Sequence, residues 1–335
     1  MSAAQPPSDW RFCVAPMMGC TDRHYRYFAR LLSRRARLYT EMLVAAALTH
    51  GDAEKLLRHD PLESPVALQL GGSDPQELAV ASALGAAAGY DEINLNLGCP
   101  SDRVQAGKFG ACLIAEPRLV AECVAAMSAA VSVPVTVKTR LGVDAHDSYE
   151  HLAGLVEGIA NAGCKVVILH ARKAILGLNT RDNRLIPLLD HARVHRIKRD
   201  FPALHIVVNG GVTTLAAATA QLAQVDGVML GRAAYDHPML LQTVDAELFS
   251  EARPAHTEAS ALAAFLPYLE RELKAGVALR QMTRHLLGLF AGQPGARDWR
   301  RWLSEVGPHA RDARVLIEEA LRARAGSPAR HAAEG

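Results

Sequence analysis

Three features of the chain predict an α/β fold: a (β/α)8, or TIM, barrel followed by a smaller all-α helical domain. Eight short apolar runs recur between residues 12 and 231. The segments between them place apolar residues at helical spacing and are long enough for a crossover helix. After Pro238 the strand signals stop and only amphipathic helical patterns follow. Strand and helix alternating eight times is the pattern of a closed parallel barrel. An open doubly wound sheet is the competing arrangement, and the lack of a Gly-x-Gly-x-x-Gly turn after the first run weighs against it.

The runs are Phe12–Met17, Leu38–Met42, Val66–Leu70, Ile93–Leu97, Val135–Thr139, Val166–His170, Ile206–Asn209 and Val228–Gly231. Several are rich in Val and Ile and end at Gly or a polar residue. Pro75–Ala88 and Glu116–Val131 read as helices, the second with Leu119, Val120, Cys123 and Met127 on one face. Asp147–Ala162 and Leu215–Leu222 read the same way. In the fourth run Ile93, Leu95 and Leu97 alternate with Asn94 and Asn96, a period of two. Gly98 then permits a sharp turn and Pro100 stops the ladder. Beyond the barrel, Ala259–Leu273, Val277–Gly292 and Ala313–Ala325 are expected as amphipathic helices. The expected organisation is a barrel over 1–245, a helical domain over 255–325, and a tail at 326–335 without ordered structure.

The 335 residues are half hydrophobic, enough for a large core and a smaller one. A net charge of +2 neither demands nor forbids a polyanionic partner. Residues 251–335 hold 13 Lys/Arg against 10 Asp/Glu, and Arg297, Arg300 and Arg301 flank Trp299 and Trp302. Basic residues with interleaved aromatics suit an RNA backbone and a stacked base, while two Trp packed into a helical bundle is the competing reading. The six cysteines form no Cys-x-x-Cys pair, so neither a zinc ribbon nor a disulfide framework is expected. The N-terminus lacks the apolar run of a signal peptide, and no stretch of about 18 apolar residues could span a membrane. A cytoplasmic monomer with reduced thiols is the expectation.

The strand ends carry the polar residues. Gln69 precedes Gly71-Gly72, Asn96 and Cys99 end the fourth run, and Lys138 and Arg140 lie on the fifth. His170-Ala171-Arg172 ends the sixth, Asn209-Gly210-Gly211 the seventh and Gly231-Arg232 the eighth. Each alone reads as a loop residue. In a barrel all six tips gather at one face, where barrel enzymes place their sites. The two glycine turns after the seventh and eighth runs can wrap a phosphate. Lys138, His170 and Gln69 would then surround the ring of the ligand. A reduced flavin is anionic on one side, and a fixed Lys there stabilises that charge. Ala15-Pro16-Met17 would supply backbone against a flat ring. A thiol with an ordinary pKa of about 8.5 holds its proton at neutral pH. Cys99 at a strand exit can therefore serve as a general acid. Cys112, among apolar neighbours, reads as packing.

Together these residues resemble the tRNA-dihydrouridine synthases over about residues 11–325, and within them the subgroup acting at positions 20 and 20a. The matching stretches are Ala15-Pro16-Met17 with Thr21-Asp22, Leu68-Gln69-Leu70-Gly71-Gly72, and Asn94-Leu95-Asn96-Leu97-Gly98-Cys99-Pro100-Ser101. Val137-Lys138-Thr139-Arg140, His170-Ala171-Arg172, Asn209-Gly210-Gly211, Gly231-Arg232 and Pro294-Gly295-Ala296-Arg297 to Arg301 follow in order. The Cys99 stretch is the most specific. The resemblance implies an FMN-bearing barrel, with NADPH as reductant of the flavin. It implies hydride transfer from flavin N5 to uridine C6, protonation of C5 by Cys99, and 5,6-dihydrouridine in the tRNA D-loop as product. Ala15, Pro16, Met17, Gln69, Lys138, His170, Asn209, Gly210, Gly211, Gly231 and Arg232 would hold FMN. Asn96 would hold the extruded uridine, and Arg181, Arg184, Arg297 and Arg300 would bind tRNA. A base inside folded tRNA must leave its stack to be reduced. One departure from the family is visible: Met18-Gly19-Cys20 follows Pro16-Met17, where other members vary between small, acidic and aromatic residues, and it bears on flavin packing rather than on the proton donor.

Two other functions share part of this pattern. An FMN barrel acting on a small free pyrimidine would use the same phosphate turns and Lys138, but leaves Arg297, Arg300 and the helical domain without a purpose. A tRNA-binding protein without catalysis would need no flavin.

Overall fold

The computed structural model describes residues 9–251, 254–306 and 310–326. Nine parallel strands follow the apolar runs: β1 Phe12–Val14, β2 Arg37–Tyr39, β3 Leu43–Val44, β4 Val66–Gly71, β5 Glu92–Leu97, β6 Val135–Arg140, β7 Val166–His170, β8 His205–Asn209 and β9 Gly227–Leu230. From β4 to β9 each strand pairs with the next in sequence. β1 pairs with both β9 and β2, and β2 pairs with β4, which closes an eight-stranded ring. β3 is a short addition against the end of β4, Leu43 opposite Leu70.

The expected second strand, Leu38–Met42, is thus divided. Its ladder ends at Tyr39 because Thr40 turns its hydroxyl to accept the Gln69 N–H at 2.9 Å, while the Thr40 N–H donates to Ala67 O. The chain rejoins the sheet only at Leu43.

Helices cover the outside. Their starts follow from capping residues: Asp74, Ser148, Asp190 and Thr214 each accept an N–H from the first turn of Pro75–Ala87, Tyr149–Asn161, His191–Asp200 and Leu215–Leu222. Pro117 opens Pro117–Ala130, where its missing N–H costs nothing. On β5 the alternation of apolar residue and amide splits outside from inside. A side chain at Gly85 would collide with Leu68 and Ile93, so Pro75–Ala87 lies directly on the outward residues of β4 and β5. The inward residues differ around the ring. Cys13, Ala15, Tyr39, Ala67, Val166, Ile168, Val207 and Met229 form an apolar cluster. Glu92, Asn94 and Asn96 of β5 share the interior with Gln69 of β4 and Thr136 of β6, hydrogen-bonded side chain to side chain.

The chain divides into two compact units. Residues up to Arg23 together with Arg35–Gly231 form the first, and His24–Arg34 with the residues from Arg232 onward form the second. The division falls ahead of residue 245, and His24–Arg34 belongs to the second unit because Phe28 packs 5.1 Å from Phe265, Tyr27 stacks 4.0 Å from Tyr268, and Tyr268 hydroxyl meets His24 Nδ1 at 2.7 Å. The second unit is helical, with Glu258–Lys274, Ala296–Glu305 and Ala313–Ala325 its longest elements. The expected helix Val277–Gly292 is instead a short helix Leu279–Thr283 followed by a 3-10 turn Arg284–Leu286. Gly288 lies against the Asp236 backbone so closely that a Cβ would stand 2.3 Å from Asp236 O, and the chain follows that contact rather than a helical path. Of the tail 326–335 only Gly326 is among the described residues. No helix of the described residues is long and apolar enough to cross a membrane.

Candidate active site

The register of the barrel brings most of the expected site residues to its C-terminal end. Gln69 pairs with Asn94, Asn96 with Lys138, Arg140 with His170, and His170 with Asn209. Ala15, just past β1, donates its N–H to Leu230 O at 2.8 Å, which ties Ala15-Pro16-Met17 to the strand leading into Gly231. Met17 packs partly buried against the interior cluster.

Lys138 and His170 are both half-buried at the strand ends. Among the described residues neither side chain has a hydrogen-bond or ion-pair partner. Burial, reinforced by Arg140, pushes Lys138 down to about 8, with Cys99 acting the other way. Burial, together with Arg140 and Lys138, holds the His170 imidazole well below the ordinary histidine range, so it is neutral at pH 7. Gly210 and Gly211 adopt φ of +100° and +75°. A Cβ at Gly210 would stand 2.6 Å from His170 Cδ2, so the turn passes over the imidazole only as glycine. Asn209 is buried and spends its Nδ2 on Met229 O at 2.8 Å, holding the turn to β9. An unpartnered lysine, a neutral histidine and a glycine turn are what an anionic, phosphate-bearing planar ligand requires. The residues present fit FMN.

Cys99 leaves β5 on a tightly held turn. Asn96 Oδ1 accepts the N–H groups of Gly98 (3.1 Å) and Cys99 (3.0 Å). Cys99 O accepts the Ala111 N–H at 3.0 Å, and a Cβ at Gly110 would meet that oxygen at 2.7 Å. The thiol is partly buried, with Ser101 Oγ 3.4 Å from Sγ. Cys112 is partly exposed and points its thiol at Phe109 O, 3.0 Å away, which agrees with a packing role. Asn96 is more committed than a residue waiting for a base. Both Oδ1 lone pairs serve the turn and one Nδ2 hydrogen donates to Gln69 Oε1 at 2.8 Å, which leaves one hydrogen to offer.

Arg140 is among the strand-end residues but carried no expected role at the site. It is buried, and its guanidinium donates to Gly98 O (2.9 Å), Lys173 O (3.0 Å) and Asn183 O (3.0 Å). It thus fastens the cysteine turn to the loop after β7. Burial pushes it down to about 10, so it stays charged. The period of two in Val-Lys-Thr-Arg, which puts Lys138 and Arg140 on one face, was the signal that could have tied it to the site. In the same loop Arg181 is exposed and Arg184 half-buried, with Asn183 between them buried and stapled to Ile175 and Leu178.

Three expected residues lie in the second unit. Arg232 is exposed and opens the short helix Arg232–Asp236. Arg297 and Arg300 are exposed, one turn apart on Ala296–Glu305, and Arg301 pairs with Asp298 at 3.1 Å. The tryptophans divide. Trp299 is fully buried, donates to Leu286 O at 2.8 Å and meets Phe290 edge to face. Trp302 is only partly buried, and its Nε1 finds no partner among the described residues. The packing reading is therefore right for Trp299.

Comparison with known proteins places this geometry. A family model for dihydrouridine synthase matches residues 13–325. The tRNA-dihydrouridine(20/20a) synthase of Yersinia pestis is 54% identical over 314 residues, 93% of this chain and 90% of that protein. The protein of the same name from Synechocystis sp. is 53% identical over 311 residues, 92% of this chain and 93% of its own. That of Escherichia coli K12 is 52% identical over 314 residues, 93% and 91%. A solved structure of histamine dehydrogenase from Rhizobium sp. 4-9 is similar at a TM-score of 0.54 and 14% identity, over 73% of this chain and 48% of that one, a likeness of fold alone. With its motif cysteine at a barrel strand exit and relatives identical at half their positions over nine-tenths of its length, the chain belongs to the dihydrouridine synthase family.

Proposed function

We propose that this protein reduces the C5–C6 double bond of uridines in the tRNA D-loop, at positions 20 and 20a, to give 5,6-dihydrouridine, with FMN as cofactor and NADPH as reductant. The observation that carries the reading is the pairing, at one end of the barrel, of a held cysteine turn with a lysine and a histidine that have no partner among the described residues. The relatives' names supply the substrate and the positions.

Bound FMN, once reduced, supplies the hydride for uracil C6. Lys138 is positively charged below about pH 8 and has no counter-ion among the described residues, so beside a bound flavin ring it would stabilise negative charge. His170 enters as a neutral hydrogen-bonding group, and Gly210-Gly211 wraps the phosphate. The spare Nδ2 hydrogen of Asn96 and spare Nε2 hydrogen of Gln69 orient base and flavin. Cys99 gives its proton to C5 and is left as the thiolate, which takes a proton back from water, with Ser101 Oγ at 3.4 Å placed to hydrogen-bond the sulfur. Arg181, Arg184, Arg297 and Arg300 bind the tRNA backbone, the last two from the helical unit. A monomer in the cytoplasm, where tRNA and NADPH meet, suits this role.

The test is to purify the protein, record the flavin band, and incubate it with NADPH and tRNA lacking dihydrouridine. Dihydrouridine at 20 and 20a is expected. A colourless protein, or one that reduces free uracil and leaves tRNA unmodified, contradicts the reading.

A further inference from the structure

The interior of the barrel holds a hydrogen-bonded chain that runs from its closed N-terminal end to the cysteine turn. At the far end lies Glu92, fully buried. Its Oε2 accepts from Trp10 Nε1 (2.7 Å) and Arg37 (3.2 Å), and its Oε1 accepts from the Tyr39 hydroxyl (2.8 Å). The Thr136 hydroxyl also donates to Oε1. Thr136 Oγ1 accepts from Asn94 Nδ2 (2.8 Å), Asn94 Oδ1 from Gln69 Nε2 (2.8 Å), and Gln69 Oε1 from Asn96 Nδ2 (2.8 Å). Asn96 Oδ1 accepts the N–H groups of Gly98 and Cys99. Glu92 and Asn96 are four residues apart on β5, so the chain spans about 13 Å at a rise of about 3.3 Å per residue.

Every bond in this chain has the same sense. A side-chain amide can turn over and exchange its oxygen for its nitrogen, so each of the three amides has two states. Both ends here are fixed. The backbone N–H groups of Gly98 and Cys99 can only donate, and the carboxylate, filled from its other side by Arg37 and Trp10, can only accept. Turning any one amide sets donor against donor at one neighbour and acceptor against acceptor at the other. Relief must pass along the chain until it reaches Glu92 or the cysteine turn.

We infer that Glu92 and Thr136 are remote positioning residues: through Asn94, Gln69 and Asn96 they fix which amide atoms face the ligands and hold the turn that presents Cys99. The consequence for catalysis rests on the reading of Cys99 as proton donor; the consequence for the turn does not. Removing the Thr136 hydroxyl leaves Asn94 Nδ2 without an acceptor. The amides then either keep a buried unsatisfied donor or turn over and press Asn96 Nδ2 against the N–H groups of Gly98 and Cys99.

The test compares Thr136→Val, Thr136→Ser and Tyr39→Phe with the wild type. Valine matches threonine in shape without the hydroxyl, serine restores the hydroxyl, and Tyr39→Phe removes one bond to Glu92 without cutting the chain. The first readout is the pH profile of Cys99 alkylation in flavin-free protein, followed by mass spectrometry of the Cys99 peptide because Cys20 and Cys112 are also partly exposed. The second is kcat and KM for tRNA in flavin-loaded protein. Thr136→Val is expected to change the alkylation rate at least threefold and to lower kcat about tenfold with KM within twofold, while Thr136→Ser and Tyr39→Phe stay within twofold of wild type throughout. Wild-type alkylation and kcat in Thr136→Val overturn the inference, and so do equal changes in Thr136→Val and Tyr39→Phe, which mark a general loss of stability. Thr136→Ala removes the same hydroxyl and is read identically if the valine variant does not fold. A wild type that forms no dihydrouridine sinks the proposed function, and the alkylation profiles still decide the relay.

Discussion

Among the described residues no carboxylate answers the charge of Lys138. Its folded value of about 8 lies below the ordinary 10.5, so folding favours the neutral amine. Below about pH 8 the amine is charged in both folded and unfolded chains and the full burial penalty is felt. Between about 8 and 10.5 the native state loses its proton first, and the flavin-free protein gains stability as pH rises through that window. Flavin binding as proposed should have the opposite sign, because an anionic ligand favours the charged amine. The affinity of flavin-free protein for FMN, followed by fluorescence quenching, should fall as pH rises through about 8. In Lys138→Met it should be weaker and lack that step. A wild-type affinity that is flat from pH 7 to 9.5 contradicts this role. Gly210 makes a second prediction at the same scale. Alanine there would carry φ +100° and press on His170, so Gly210→Ala should lower stability by about 1–3 kcal/mol and lose most bound flavin on gel filtration. Retention of flavin at the wild-type level would remove the turn from the binding site.

The helix Ala296–Glu305 separates two jobs by face. Trp299 is core, and its truncation to alanine should destabilise the helical unit by about 3–5 kcal/mol. Arg297 and Arg300 are exposed one turn apart, and replacing either with alanine should leave stability within about 0.5 kcal/mol. Each replacement should weaken tRNA binding and reduce the slope of log K against log salt by about 0.7–0.9, the contribution of one phosphate contact. Unchanged slopes would return both arginines to ordinary surface. Elements were legible where local pattern and tertiary demand agree, as in β5, where alternation reports an apolar outside and an amide-lined inside. They were not where a distant backbone decides. Thr40 breaks the second strand by serving Gln69, and Gly288 breaks a helical pattern by lying against Asp236. The helix Arg23–Leu32 lies between the first two barrel strands in sequence, yet its aromatic face belongs with Phe265 and Tyr268, more than 230 residues away.

Across the whole molecule, ring closure turns scattered motifs into one site. The pairings β1–β2, β2–β4 and β1–β9 bring residues as far apart as Ala15 and Gly231 to one end of the barrel. That gathering could be expected from strand order alone. The polar interior could not, because Trp10, Arg37, Tyr39 and Glu92 meet only once the ring has closed. Arg140 shows the same limit: its charge was visible in the sequence, while the three carbonyls it holds come from two separate loops, the turn after β5 and the connection after β7. The central claim is that the thiol presented by this assembly protonates the uracil that the flavin reduces. Its most direct measurement is dihydrouridine formation in a single turnover by flavin-loaded Cys99→Ala protein beside wild type. The account predicts normal flavin content and tRNA binding with product formation slowed at least a hundredfold, about the least a positioned general acid contributes; dihydrouridine formed at the wild-type rate would contradict it.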